Sequence, residues 1–128
     1  NSGKIGVLLS FKSNHETEKV NEFSKNLCMH IAATDPKSMN IDSLDKSLVD
    51  KERSIYIEQL KSSNKPDEII EKIVDGKIKK FYQEVCLLEQ TFVMDNKTKI
   101  YECIDTFNKE QNENFEIKNF VIFKLGQE

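Results

Sequence analysis

The sequence has no long apolar run, no cysteine pair at metal-binding spacing and no glycine-rich loop. Each absence removes a class of function. Nothing approaches the roughly 18 consecutive apolar residues of a membrane-spanning helix, so no membrane partner is expected. The first residues lack a basic stretch followed by an apolar one, so no secretory signal is read. Cysteine occurs three times, at Cys28, Cys86 and Cys103, with no Cys-x-x-Cys pair. That argues against a zinc site or a disulfide framework and for a reducing cytosol, with the three side chains acting as small buried hydrophobes. Glycine stands only at Gly3, Gly6, Gly76 and Gly126. The Gly3-x-x-Gly6 pair precedes a strand rather than a helix, so it cannot use a helix N-terminus to hold phosphate. No Asp-x-Asp-x-Asp-Gly calcium loop occurs. A basic surplus is also missing: 19 basic side chains face 22 acidic ones, a net charge of −3, which argues against nucleic acid as a partner.

What remains is 128 residues, one domain's worth, with 38% apolar and 32% charged residues. The mix is soluble but lean in core material. The chain begins at Asn1 without a methionine, which suggests a part of a longer protein.

Periodicity orders the chain. Over residues 4–11, Ile5, Val7, Leu9 and Phe11 alternate as one face of a strand. Ser13-Asn14 breaks the pattern, and from His15 to Ala33 the spacing turns helical through Val20, Phe23, Leu27 and Ile31. Asp35-Pro36 ends that helix, because a residue before proline avoids the α region. Residues 37–44 connect to a second helix capped by Asp45, with Leu48, Val49, Ile55, Tyr56 and Leu60 apolar. Ser62-Ser63-Asn64 reads as a tight turn with Asn64 left-handed, and Pro66 suits the first turn of the next helix. That third helix runs to about Glu84 and carries the clearest stripe: Ile70, Val74, Ile78 and Phe81. Glu68 with Lys72 and Asp75 with Lys79 are spaced to pair along it. Two long helices joined by a short turn must lie antiparallel, as a hairpin of coiled-coil type. Asp95-Asn96-Lys97 reads as a turn, and Thr98 as the cap of a short helix to Glu110 with Ile100, Ile104 and Phe107 on one side. In the last stretch Phe115, Ile117, Val121, Phe123 and Leu125 are expected to share a face, with Asn119 the exception, as one strand or two short ones with a bend, ending at Gly126.

The expected fold is α+β: a small antiparallel sheet flanked by helices, with an inserted antiparallel helical hairpin. Residues 1–44 and 90–128 would form a discontinuous core, and residues 45–89 the hairpin.

Catalytic groups are scarce. His15 reads as solvated near a helix start. His30 lies beside an apolar stripe and reads as a structural side chain hydrogen-bonded to a neighbour rather than a base or ligand. Cys28 is two residues from His30, and such positions on a helix do not face each other, so they make no dyad. Glu52, Glu58, Glu68 and Glu71 alternate with lysines as a solvated face. The residues therefore point to a binding or scaffolding role, with no enzyme activity and no cofactor or metal. The feature needing explanation is Phe92-Val93-Met94, an apolar triplet in a connector, which either plugs the core or forms a contact patch.

Several stretches together resemble one family. They are Gly3-Lys4-Ile5-Gly6-Val7-Leu8-Leu9, then Met29-His30-Ile31-Ala32-Ala33-Thr34-Asp35-Pro36-Lys37, and Ile69 to Tyr82 around Glu71-Lys72-Ile73-Val74-Asp75-Gly76-Lys77. Leu87-Leu88-Glu89-Gln90-Thr91-Phe92-Val93-Met94 and Asn119 to Gly126 follow in the same order. With this spacing the chain resembles translation elongation factor Ts over nearly its whole length. The resemblance implies a nucleotide exchange factor that binds elongation factor Tu and promotes GDP release, in the bacterial cytoplasm or, as a second option, the mitochondrial matrix. It implies the C-terminal half of the family's core together with its dimerisation hairpin. Phe92, Val93 and Met94 match a partner-contacting segment, which favours the contact patch, at least for Val93 and Met94. The family's Thr-Asp-Phe-Val segment, which disturbs the nucleotide site, is absent from these residues, and Thr91 replaces a proline. The chain alone is therefore expected to bind elongation factor Tu weakly and to exchange nucleotide poorly. The alternative is a homodimerisation module, in which the hairpin, through its Ile70, Val74, Ile78 and Phe81 stripe, or an exposed sheet edge meets a second copy; the bland reading of the stripe is that it packs wholly inside the hairpin.

Overall fold

The computed structural model describes residues 4–125. Strand β1 (Lys4–Lys12) is followed by helices α1 (Glu18–Thr34), α2 (Lys46–Lys61) and α3 (Asp67–Val85), a 3-10 turn (Leu87–Glu89), helix α4 (Ile100–Gln111) and strand β2 (Glu116–Leu125). The two strands pair antiparallel, giving the expected α+β arrangement. The expectations for Asn1, Gly3 and Gly126 lie outside the described residues.

The strands meet with one irregularity. Leu9 faces Phe120 and Val7 faces Ile122, but Phe11 faces Ile117 and Ser10 faces Asn119, which leaves Lys118 without a partner. This extra residue is a β-bulge, and it inverts the alternation beyond it. Phe115 and Ile117 are buried before the bulge; after it, Phe120 and Ile122 turn inward. Val121 and Phe123 are exposed, so the expectation that they share a face with Phe115 and Ile117 is overturned. Asn119 was the visible sign of that shift. On the outward face the Phe123 ring lies over Gly6, 3.5 Å from where a Cβ would stand.

The main core joins Val20, Leu27 and Ile31 of α1 to Leu87, Phe92, Ile100, Phe115 and Ile117, with Val7, Leu9 and Phe11 against them. Its centre is aromatic: Phe23 stacks on Phe107 at 4.3 Å, Phe11 stacks on Phe115 at 4.8 Å, and Phe23 meets Phe115 edge-on at 5.0 Å. Such geometries add to the area that each ring buries.

Local chemistry sets the helix ends. Helix α1 begins later than its periodicity suggested, because the Thr17 hydroxyl accepts the Val20 N–H and caps it. It stops at Asp35, which is left-handed (φ 48°) and returns its N–H to Ile31. Asp45 caps α2 as expected, through the Ser47 N–H. Asn64 takes the left-handed turn (φ 58°), and α3 starts one residue after Pro66. Lys99, not Thr98, precedes α4, and the Glu102 carboxylate accepts its N–H.

Helices α2 and α3 pack along one seam. Ile70, Val74 and Ile78 are buried against Val49, Tyr56, Ile57, Leu60 and Tyr82. Ile57 takes the place expected for Ile55, which is exposed. Phe81 lies nearer the main core, with Leu44 and Cys86. Asp75 does not pair with Lys79 as its spacing suggested; it reaches across to Arg53 at 3.0 Å. No helix of the described residues is long and apolar enough to cross a membrane.

Candidate functional site

The chain between α3 and α4 is fastened at both ends. The Phe92 N–H donates to the Thr98 carbonyl at 2.8 Å and the Ile100 N–H to the Gln90 carbonyl at 2.9 Å. Inside the loop, Asp95 Oδ1 accepts the N–H groups of Lys97 and Thr98, and Asn96 is left-handed (φ 57°). These bonds hold the Asp95 carboxyl below its usual range, the Lys97 N–H first among them. The turn expected at Asp95-Asn96-Lys97 is therefore present, built as an Asx turn.

The triplet divides. Phe92 is buried in the core, edge-on to His30 at 5.7 Å and to Phe23 at 6.5 Å. Val93 and Met94 face outward, 41% and 45% exposed. Beside Met94 a groove of about 320 Å³ runs past Phe23, Phe92, Cys103 and Phe107, with Asp95 and Glu110 at its rim.

Beneath this loop lies a buried polar network. His30 is fully buried, and its Nε2 lies 2.8 Å from Oε1 of Gln90. The Val93 N–H donates to Nδ1 of His30 at 3.2 Å. An amide N–H can only donate, so Nδ1 must be unprotonated and the proton must sit on Nε2, facing the Gln90 oxygen. The Gln90 amide nitrogen donates to the Glu84 carbonyl at 2.8 Å, in the last turn of α3. The Thr34 hydroxyl completes the set, 3.0 Å from Oε1 of Gln90 and 2.9 Å from the His30 carbonyl. Burial pushes the His30 pKa below its ordinary value, and the Gln90 bond opposes this in part. The neutral imidazole is thus the form that fits. No buried side-chain nitrogen or oxygen among the described residues lacks a partner.

Ile70, Val74, Ile78 and Phe81 are all buried within the chain, at 8%, 0%, 3% and 8% exposure, so α2 and its neighbours cover the stripe. His15 is exposed, as expected, and faces Glu113 at 3.2 Å. Cys86 is buried, with Cys28 and Cys103 partly so, and all three are free thiols. Burial, with the Asp95 and Glu102 carboxylates nearby, raises the Cys103 thiol to about 11, which favours its protonated form. Among the described residues no three His, Cys, Asp or Glu side chains converge as metal ligands would. Sequence spacing missed Gln90, because its partner His30 lies 60 positions away.

The architecture is that of an α+β chain in which a paired-helix arm and a pinned loop share one buried polar junction. The family model described as Elongation factor TS matches residues 1–127, and the chain belongs to that family. It is similar to elongation factor Ts of Rhodospirillum rubrum, 44% identical over 125 residues covering 98% of this chain and 40% of that protein. The protein of the same name from Rickettsia bellii is 40% identical over 128 residues, covering 99% and 41% respectively. That from Ehrlichia ruminantium is 39% identical over 127 residues, covering 99% and 44%. The chain therefore spans less than half the length of these relatives.

Proposed function

We propose that this chain supplies partner contact within a guanine-nucleotide exchange factor that binds elongation factor Tu and promotes GDP release during translation elongation. The observation that carries this reading is the exposed pair Val93 and Met94 on a loop fastened at both ends, in a chain of this family. Phe92, the third residue of the matching segment, anchors the loop from inside. Such a factor is not an enzyme. It favours the nucleotide-free partner, and by reciprocity weakens nucleotide binding by the same factor. The segment that disturbs the nucleotide site in this family is not among these residues, so binding belongs here and the push on GDP elsewhere. The bacterial relatives support a cytoplasmic setting.

The division into a core (1–44 and 90–128) and a hairpin (45–89) belongs to the same reading. Largely separate apolar clusters support it, with Leu87 and Leu88 of the hairpin segment joining the core cluster and Leu44 of the core segment packing with Phe81 and Cys86 as the exceptions. The homodimer alternative has less support at the hairpin, because its stripe is covered within the chain.

The test is the double variant Val93→Ala with Met94→Ala. It lowers affinity for elongation factor Tu while leaving the circular dichroism of the chain in place and lowering its melting temperature by only a few degrees. Unchanged affinity removes these residues from the interface.

A further inference from the structure

Two apolar side chains on a loop make a contact site only if the loop holds them in one arrangement. Ordering a mobile loop at the moment of binding costs part of the affinity, and a loop already fixed avoids that cost. The 92–98 loop is closed by backbone bonds at its base, but those bonds do not reach Val93. The bond that does reach it comes from below, from a side chain on a different element: Nδ1 of His30, at 3.2 Å. The imidazole is itself fixed. It lies edge-on to Phe92, is wholly buried, and is held at its other nitrogen by Gln90. Gln90 in turn is tied to the last turn of α3 through Glu84 and to the end of α1 through Thr34. Three elements therefore converge on one ring, and that ring grips the backbone of the residue that begins the exposed pair.

We propose that His30 is a positioning residue for partner recognition: from beneath the loop it fixes the Val93 backbone, and so sets how Val93 and Met94 are presented. This rests on the contact role given above to Val93 and Met94. His30 does not touch the partner and does no chemistry. It needs a ring nitrogen that accepts and a second that donates, about two bonds apart on a rigid frame, which explains a buried polar residue on an otherwise apolar stripe.

Two substitutions separate the two ends of the ring. In His30→Asn the amide oxygen stands where Nδ1 was and still accepts the Val93 N–H, while the bond to Gln90 is lost. In His30→Gln the amide nitrogen stands where Nε2 was and still donates to Gln90, while the bond to Val93 is lost. Measured on the full chain, His30→Gln is expected to weaken affinity for elongation factor Tu about fivefold, as expected for a few ordered side chains set free. His30→Asn is expected to stay within about twofold of the parent. Hydrogen exchange of the Val93 amide is the readout that general stability does not move. It speeds up in His30→Gln and stays slow in His30→Asn, with the α1 and α3 amides as internal reference.

Affinities that follow melting temperature alone, with equal Val93 exchange in both variants, overturn the proposal. The double variant Val93→Ala with Met94→Ala separates the two levels. If it leaves affinity unchanged, the contact reading and this proposal both fall. If it weakens binding and His30→Gln does not, only the positioning role falls. Should neither His30 variant fold, exchange in the parent chain decides: a Val93 amide protected relative to Met94 supports the proposal, and one that exchanges as freely as Met94 overturns it.

Discussion

His30 and Gln90 meet through a bond of 2.8 Å between Nε2 and Oε1, deep under a loop that exposes Val93 and Met94. The pair joins the end of one helix to the connector after another, and every polar atom in it is satisfied. A buried network of this kind stabilises when complete and becomes costly when one member changes charge.

That cost gives a pH dependence. The His30 pKa lies below its ordinary value of 6.5, mainly through burial. In the unfolded chain the imidazole binds its proton near pH 6.5, whereas in the folded chain it stays neutral to lower pH. The unfolded state therefore holds more protons in this window, and stability rises with pH there. The contribution is full above about pH 6.5 and is lost as pH falls toward the lower folded value. Thermal melts between pH 7 and pH 5 should show a falling melting temperature, with a slope of at most about 1.4 kcal/mol per pH unit. His30→Asn should remove this part of the slope. The carboxylates of Asp35 and Asp45 are shifted down from 3.8, so their losses come at more acid pH and do not overlap. A melting temperature that is flat from pH 7 to pH 5 contradicts the buried neutral imidazole.

Neighbouring residues of the triplet should behave in opposite ways. Phe92→Ala empties a core position and should cost about 3–5 kcal/mol, seen as a lower urea midpoint. Val93→Ala and Met94→Ala, on the solvent side, should each cost about 0.5 kcal/mol. Equal costs for all three would mean that the loop does not divide as described.

Gly76 sits inside α3 with nothing within 4 Å of where a Cβ would stand. Gly76→Ala should therefore stabilise the chain by about 0.5–1 kcal/mol, through helix propensity and the entropy of the unfolded chain. Denaturant unfolding checks this, and a loss of stability would show that the site is crowded.

The bulge at Lys118 predicts which aromatic residues of β2 matter. Phe120→Ala, on the inner face, should cost at least about 3 kcal/mol. Phe123→Ala, on the outer face over Gly6, should cost under about 1.5 kcal/mol. The reverse order would restore the uninterrupted alternation.

Much of this fold was legible from spacing alone. Three-and-four periodicity located α1, α2 and α3, and alternation located β1, because these patterns are set by contacts with one buried face. Asp45 and Asn64 were legible because caps and left-handed turns select their own residue types. The face of β2 was not, because a bulge is a long-range pairing event: Lys118 loses its partner only once β1 lies alongside. The fate of Asp75 was hidden for a similar reason, since Arg53 competes with Lys79 only when the two helices meet. At the candidate site the apolar triplet stood out by composition, and the resemblance already favoured contact for Val93 and Met94. The bond from Val93 to His30, 63 positions away, is what no local pattern records.

The most direct measurement is a titration of this chain into elongation factor Tu loaded with fluorescent GDP, reading complex formation and GDP release together. A complex that forms through the Val93 and Met94 surface with little acceleration of release is expected. A folded chain that forms no complex would contradict this expectation.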